Sequence, residues 1–168
     1  MKLLFELSGE HPTLPFAELE TVGTIQETRL QVAVAECPHP AAVRRLALTH
    51  VVLEYLGECR PDRAAIIDLI RDLSLSPDGP FAVRVKKVHG AEMVESETSL
   101  ERFIGSRIPG RVSLKNPSVE YRAIFSEDTC FFGRVLCRID RGSFDSRNPM
   151  RRPFFHPGVI MPRMARAI

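Results

Sequence analysis

The chain of 168 residues is 44% hydrophobic and 26% charged, with 23 Lys+Arg against 21 Asp+Glu and no Trp. That balance excludes collagen-like, mucin-like and strongly charged disordered classes, and the length suffices for one or two small domains. No stretch approaches the roughly 18 apolar residues of a membrane span. Glu6 also interrupts the apolar N-terminus too early for a secretory signal peptide, so the expected compartment is the cytoplasm.

Lys2 to Ser8 reads as a strand with Leu3, Phe5 and Leu7 on one face, stopped by Gly9. Pro12-Thr13-Leu14-Pro15 opens a helix expected to run through Ile25, with Phe16, Leu19 and Val22 at helical spacing. Leu30 to Ala35 alternates as a second strand. Ala41 to Leu48 suits a short helix, and the β-branched and aromatic run from Thr49 to Gly57 suits a strand. A clearer helix begins at Pro61-Asp62-Arg63, with Ala65, Ile66, Leu69, Ile70 and Leu73 along its apolar face and turn chemistry at 76–80. Phe81 to Val88 alternates as a half-buried strand. Thr98-Ser99 is expected to cap a helix to about Ile108, broken by Pro109-Gly110. Ser118 to Phe125 and Thr129 to Ile139 form a hairpin around Ser126-Glu127-Asp128. From Arg141 to Pro162 periodicity stops, and an extended arm is expected.

Catalytic apparatus is scarce. The four cysteines form no Cys-x-x-Cys pair, and buried, reduced thiols are expected. Gly-x-Gly, His-Glu-x-x-His and Gly-x-Ser-x-Gly are all missing, and the five histidines show no metal spacing. His89 reads as a surface residue at a strand end. Glu18 with Glu20, and Glu92, Glu95 and Glu97, read as solvated acidic faces.

Charge is graded along the chain. Residues 1–100 hold 10 basic and 15 acidic residues, whereas residues 101–168 hold 13 and 6. Arg84, Lys86 and Lys87 end one strand, Lys115 and Asn116 precede the hairpin, and Arg122, Arg134 and Arg138 lie on its strands. Arginine and lysine hold phosphates by charge, arginine with a two-pronged geometry. Such bases also keep sheet edges soluble. On residue types alone both readings stand.

Three stretches carry a family resemblance. Phe81-Ala82-Val83-Arg84-Val85-Lys86-Lys87, the helix after Ser99, and the run from Val112 through Asn116-Pro117 to Arg122 resemble a THUMP domain, a similarity continuing to Leu136. Arg152-Pro153-Phe154-Phe155-His156-Pro157-Gly158-Val159-Ile160-Met161-Pro162-Arg163-Met164-Ala165-Arg166 resembles the segment leading into the methyltransferase domain of archaeal and eukaryotic tRNA guanosine-10 N2-methyltransferases. The opening strand–helix–strand is similar to the ferredoxin-like domain that precedes THUMP in that family.

The resemblance implies an α+β protein with a ferredoxin-like domain at 1–60, a THUMP domain at 61–140 and an Arg/Pro-rich arm at 141–168. It implies tRNA as partner, gripped at the acceptor end, with S-adenosylmethionine bound by a methyltransferase domain in cis or in trans. The chain stops at Ile168, before the family's Gly-rich methyl-donor loop and Asp-Pro-Pro-Tyr type signature. It is therefore expected to carry no catalytic residue, metal or cofactor of its own, and to be a fragment or a free-standing protein. The expected RNA contacts are Arg84, Lys86, Lys87, Lys115, Asn116 and Arg122, with Arg147, Arg151 and Arg152 from the arm. Phe154, Phe155, His156, Pro157, Ile160 and Met161 are expected to dock on the catalytic domain. The alternative is a free-standing RNA-binding THUMP protein, or a protein-interaction or ligand-sensing α+β module.

Overall fold

The alternating segments fold in chain order as β1 (Lys2–Leu7), α1 (Leu14–Glu20), β2 (Thr24–Arg29), β3 (Val32–Glu36), β4 (Thr49–Cys59), α2 (Arg63–Leu73), β5 (Phe81–Lys87), α3 (Glu97–Gly105), β6 (Val119–Ser126), β7 (Thr129–Arg138) and α4 (Pro162–Ala167). Short 3₁₀ turns occupy Pro40–Arg45 and Arg141–Arg147. This computed structural model describes residues 1–147 and 159–168, the backbone alone at 145–147. The fold class is α+β, as expected. All seven strands join one sheet in the order β2-β3-β1-β4-β7-β6-β5, with only β5 and β6 parallel. The sheet runs on past residue 60, because β4 pairs with β7 from Val51–Arg138 to Cys59–Cys130.

Period-two alternation divides the apolar residues between the two faces. On one face Leu3, Phe5, Ala33, Ala35 and Val52 pack with Leu19 of α1. Further along, Val83, Val85, Tyr121, Phe125 and Phe132 pack with Ile66 and Ile70 of α2 and Leu100 and Ile104 of α3. Tyr121 stacks on Phe132 and meets Phe81 edge-on. The opposite face holds a third core of Leu4, Val32, Val34, Val51, Leu53, Val88, Ile124 and Phe131, to which no helix among the described residues contributes.

That third core is buried because the sheet curls over it. In a flat sheet β6 and β3 would lie four strand spacings apart, about 19 Å. Yet Ser126 Oγ, at the end of β6, donates to the carbonyl of Leu30, just before β3, at 2.8 Å. Arg29 sits 3.9 Å from Glu127 and 3.7 Å from Asp128 of the β6–β7 turn. Curling demands close approach at the bend, and Gly133 provides it. A Cβ there would lie 2.6 Å from the Glu54 carbonyl and 3.0 Å from Leu53 Cβ. Register shifts between β4 and β7 on both sides of this point add local twist.

Several local expectations are corrected by tertiary pairing. The first helix stops at Glu20, and residues expected as its tail or as a loop become β2. β2 is an exposed edge strand with few apolar residues, so alternation could not reveal it. The signal was Gly23, where a Cβ would meet Cys37 Sγ at 2.6 Å and the Glu36 carbonyl at 2.9 Å. Ala41 to Leu48 forms only a 3₁₀ turn, not a helix. The cap of α3 is Ser96, two residues before the expected pair, and accepts from Ser99 N at 3.2 Å. Glu18 is no solvated acid. It is buried, and its two oxygens accept from the amides of Ala47 and Leu48 at 2.6 and 2.9 Å.

The start of the expected arm is also packed. Arg141 donates to the His50 ring at 2.9 Å and to Ser8 Oγ at 3.3 Å, and it pairs with Glu10. Arg163 of α4 reaches the same Glu10 at 2.9 Å. Long-range ion pairs leave no periodicity in the sequence, so the pattern could not show this. Among the described residues no helix is long and apolar enough to cross a membrane.

Two outcomes follow. Gly133→Val should lose about 1–3 kcal/mol or more in urea unfolding, because the clash is with backbone, while Gly105→Ala, whose nearest neighbour is Val83 at 3.8 Å, should unfold at the wild-type midpoint or above. The second concerns pH. Burial, then Arg141, holds His50 below its ordinary 6.5, against smaller opposing pulls from Glu6 and Glu10 and with the smallest contribution from Lys86. The unfolded chain therefore binds the extra proton first, and stability should fall as pH drops below about 6.5 until the folded histidine titrates. His50→Gln should flatten that slope, and an unchanged slope in urea titrations at pH 7 and 5.5 would remove His50 as its source.

Candidate nucleic-acid interface

β5 is an edge strand, and its free side is closed by side chains and a neighbouring loop. Glu101 accepts from Val85 N at 3.1 Å and Glu97 from Lys87 N at 2.8 Å. Phe81 exchanges backbone bonds with Arg111 and Ser113 at 2.9 and 2.8 Å. Between these closures lies a groove of about 380 Å³ lined by Val83, Arg102, Gly105, Val112 and Leu114. Val112 and Leu114 are 51% and 58% exposed, so apolar surface faces solvent here.

The expected contacts separate into distinct groups around this groove. Lys115 and Asn116 are exposed on its rim, and Lys115 has no ion pair among the described residues. Arg84 leans over the same rim, donating to the Leu114 carbonyl at 3.0 Å, with Glu101 at 3.7 Å. Lys87 Nζ is held by the Glu95 carbonyl at 2.9 Å. Lys86 lies on the other face of β5 from the helices, where its charge acts on His50. Two further cations, Arg102 and Arg111, which the sequence pattern did not single out, are exposed here without ion pairs among the described residues. Arg102 lies two positions from each of the buried Leu100 and Ile104, which turns it outward on α3 and was a usable signal.

Arg122 has a different place. Its Nε lies 2.7 Å from Glu6 Oε2 inside the curl of the sheet, with the two side chains only 12% and 8% exposed. Glu120 adds a second carboxylate at 3.8 Å and also binds Arg138 at 2.5 Å. Arg134 is held by Glu54 at 2.7 Å. The hairpin arginines thus spend their charge across the sheet. Phe103 of α3 lies between the guanidinium groups of Arg63 and Arg107, at 4.4 and 3.8 Å.

In the arm, Arg147 ends the second 3₁₀ turn, and its side chain lies outside the described residues, as do Arg151, Arg152, Phe154, Phe155, His156 and Pro157. Ile160 and Met161 are exposed together with Val159, an apolar run ahead of α4. All four cysteines are free thiols. Cys130 donates to Cys59 across the β4–β7 ladder, holding the Cys59 thiol below its ordinary range and its own above. Among the described residues no His, Cys, Asp and Glu cluster could hold a metal.

No protein-family model matches the sequence. A tRNA (guanine(10)-N2)-dimethyltransferase of Methanothermobacter thermautotrophicus is 32% identical over 100% of this chain and 53% of its own length. The protein of the same name from Methanocaldococcus jannaschii is 29% identical over 98% of this chain and 55% of its length. The chain therefore spans about half the length of the curated relatives it matches. The crystal structure of TrmN from Thermus thermophilus shares the fold, with a TM-score of 0.62 at 18% identity, over 92% of this chain and 51% of that one.

The separation of roles is testable by stability. Arg122→Ala strands Glu6 in the interior and should cost about 3 kcal/mol in chemical unfolding. The double replacement Glu6→Leu/Arg122→Met should recover most of that loss. Lys115→Ala should stay within about 0.5 kcal/mol of wild type.

Proposed function

We propose that this chain is the tRNA-binding portion of a tRNA (guanine-N2) methyltransferase. In this reading residues 1–60 are a ferredoxin-like domain, residues 61–140 a THUMP domain, and residues 141–168 a link to a methyltransferase domain. S-adenosylmethionine is held by that further domain, which transfers the methyl group to a guanine exocyclic amine. The present chain holds cytoplasmic tRNA by its acceptor end so that the guanine reaches the active site.

One observation carries the reading. In a chain similar over its whole length to tRNA methyltransferases, Lys115, Arg102 and Arg111 stand without ion pairs among the described residues near a groove with exposed Val112 and Leu114. Unpaired cations hold backbone phosphates, and an apolar floor receives unstacked bases, the combination that suits single-stranded RNA ends. Lys87, Arg84 and Asn116 extend the same surface, and Lys86 would add a phosphate contact from the opposite face of β5. Ile160 and Met161, with the neighbouring Phe154, Phe155, His156 and Pro157, supply the docking segment for the catalytic domain. Arg147, Arg151 and Arg152 would add phosphate contacts beside it.

Binding of a tRNA transcript, followed by fluorescence anisotropy over a salt series, tests this. Lys115→Ala/Arg111→Ala should weaken binding and reduce the slope of log K against log salt by about 1.5. Trimming the terminal CCA should weaken wild-type binding and largely erase the difference between wild type and variant. Equal affinity for trimmed and intact tRNA would exclude acceptor-end recognition.

A further inference from the structure

Most of the arginines whose side chains are described meet a carboxylate. Arg63, Arg122, Arg134, Arg138, Arg141 and Arg163 each meet a carboxylate. Arg44 and Arg45, at the end of the 3₁₀ turn before β4, and Arg166 of α4 do not, and none has a hydrogen bond or ion pair from its side chain among the described residues. All three line one cleft of about 410 Å³, completed by Leu46, Ile139 and Phe144. An adjoining cleft of about 310 Å³ shares Arg45, Leu46 and Arg166.

Two acidic side chains also line these clefts, Glu18 and Asp140, and neither forms an ion pair with the three arginines among the described residues. Glu18 gives both oxygens to the amides of Ala47 and Leu48, and Asp140 Oδ1 accepts from Ser143 N at 3.3 Å. Burial holds the Cys137 thiol above its ordinary range, and the charge of Arg44, near the end of β7, partly opposes that rise. Guanidinium groups do not lose their charge in proteins. Three of them converging on one concavity repel each other, and an anion in the cleft relieves that repulsion. The guanidinium fork matches phosphate geometry, and Leu46, Ile139 and Phe144 offer an apolar wall to a ribose or base.

We infer that this cleft is a second phosphodiester-binding site for the same tRNA. It is built on the other half of the sheet from the groove beside β5, since β4 and β5 are separated by β7 and β6. The site rests on the tRNA-binding reading and deepens it: the acceptor end lies along the β5 groove while backbone phosphates elsewhere on the molecule enter the arginine cleft. Two separated anchors fix the orientation of a rigid RNA, which one anchor cannot do.

The test uses the 168-residue chain, a tRNA transcript and two readouts, the salt dependence of binding and iodine footprinting of phosphorothioate-substituted tRNA. Arg44 and Arg45 are exposed, so Arg44→Gln/Arg45→Gln should keep the wild-type unfolding midpoint. It should bind tRNA at least about 10-fold more weakly, with a salt slope lower by about 1.5. In footprints at saturating protein it should lose protection at one set of phosphates and keep the acceptor-end set. Lys115→Ala/Arg111→Ala should show the converse footprint. Arg166→Gln is the second variant should the double one unfold, and it should lose part of the same protected set. Wild-type affinity, slope and footprint in the arginine variants would overturn the cleft while leaving tRNA binding intact. A wild-type chain that binds no tRNA would overturn both, a result separable from the first.

Discussion

A sheet with helices on one face only must hide the other face by some means, and here it does so by curling. Leu4, Val34, Leu53, Ile124 and Phe131 are all fully buried although no helix among the described residues contributes to their core. The curl depends on Gly133, where the Glu54 backbone passes too close for any side chain. It is pinned by the Ser126–Leu30 hydrogen bond and the buried Arg122–Glu6 pair, which ties β6 to β1 across two intervening strands. A buried ion pair adds little net stability compared with apolar packing, but it penalises any arrangement that separates its partners. Arg122 and Glu6 therefore act mainly on geometry, holding the two ends of the sheet in one register.

That geometry sorts the positive charge. Arginines that point into or across the curl find carboxylates there, as Arg122, Arg134 and Arg138 do. Among the described residues, Arg102, Arg111 and Lys115 near the groove beside β5, and Arg44, Arg45 and Arg166 at the cleft between the first 3₁₀ turn and α4, have no such partner. The uneven distribution of charge along the sequence thus becomes an arrangement of rims in space. Arg44 and Arg45 belong to the acidic stretch of the chain, yet α4 brings Arg166 beside them.

Legibility in the sequence followed the range of the interaction responsible. β1, β4, α2, β5 and the β6–β7 hairpin were readable because their apolar residues repeat at short spacing and their turns use the expected residues. β2 was not, because an exposed edge strand of Thr, Gln, Glu and Arg is defined by its partner β3. Glu18 looked like a surface acid, and only the fold brings the Ala47 and Leu48 amides to it. For the site, Lys115 and Asn116 are exposed, whereas Arg122 faces an interior that its alternating strand could not disclose.

The sequence by itself determined the α+β class, most strands and helices, the lack of a membrane-spanning helix and the wealth of basic residues near the C-terminus. Periodicity and composition are local properties, and elements that bury one face by local repetition are written in them. Tertiary structure alone decided the single curled sheet, the edge strand β2, and which cations are neutralised. Those outcomes depend on groups tens of residues apart meeting within a few ångströms, as Glu6 and Arg122 do at 2.7 Å. A charge becomes available to a partner only when the fold has found no use for it, and no local pattern records that.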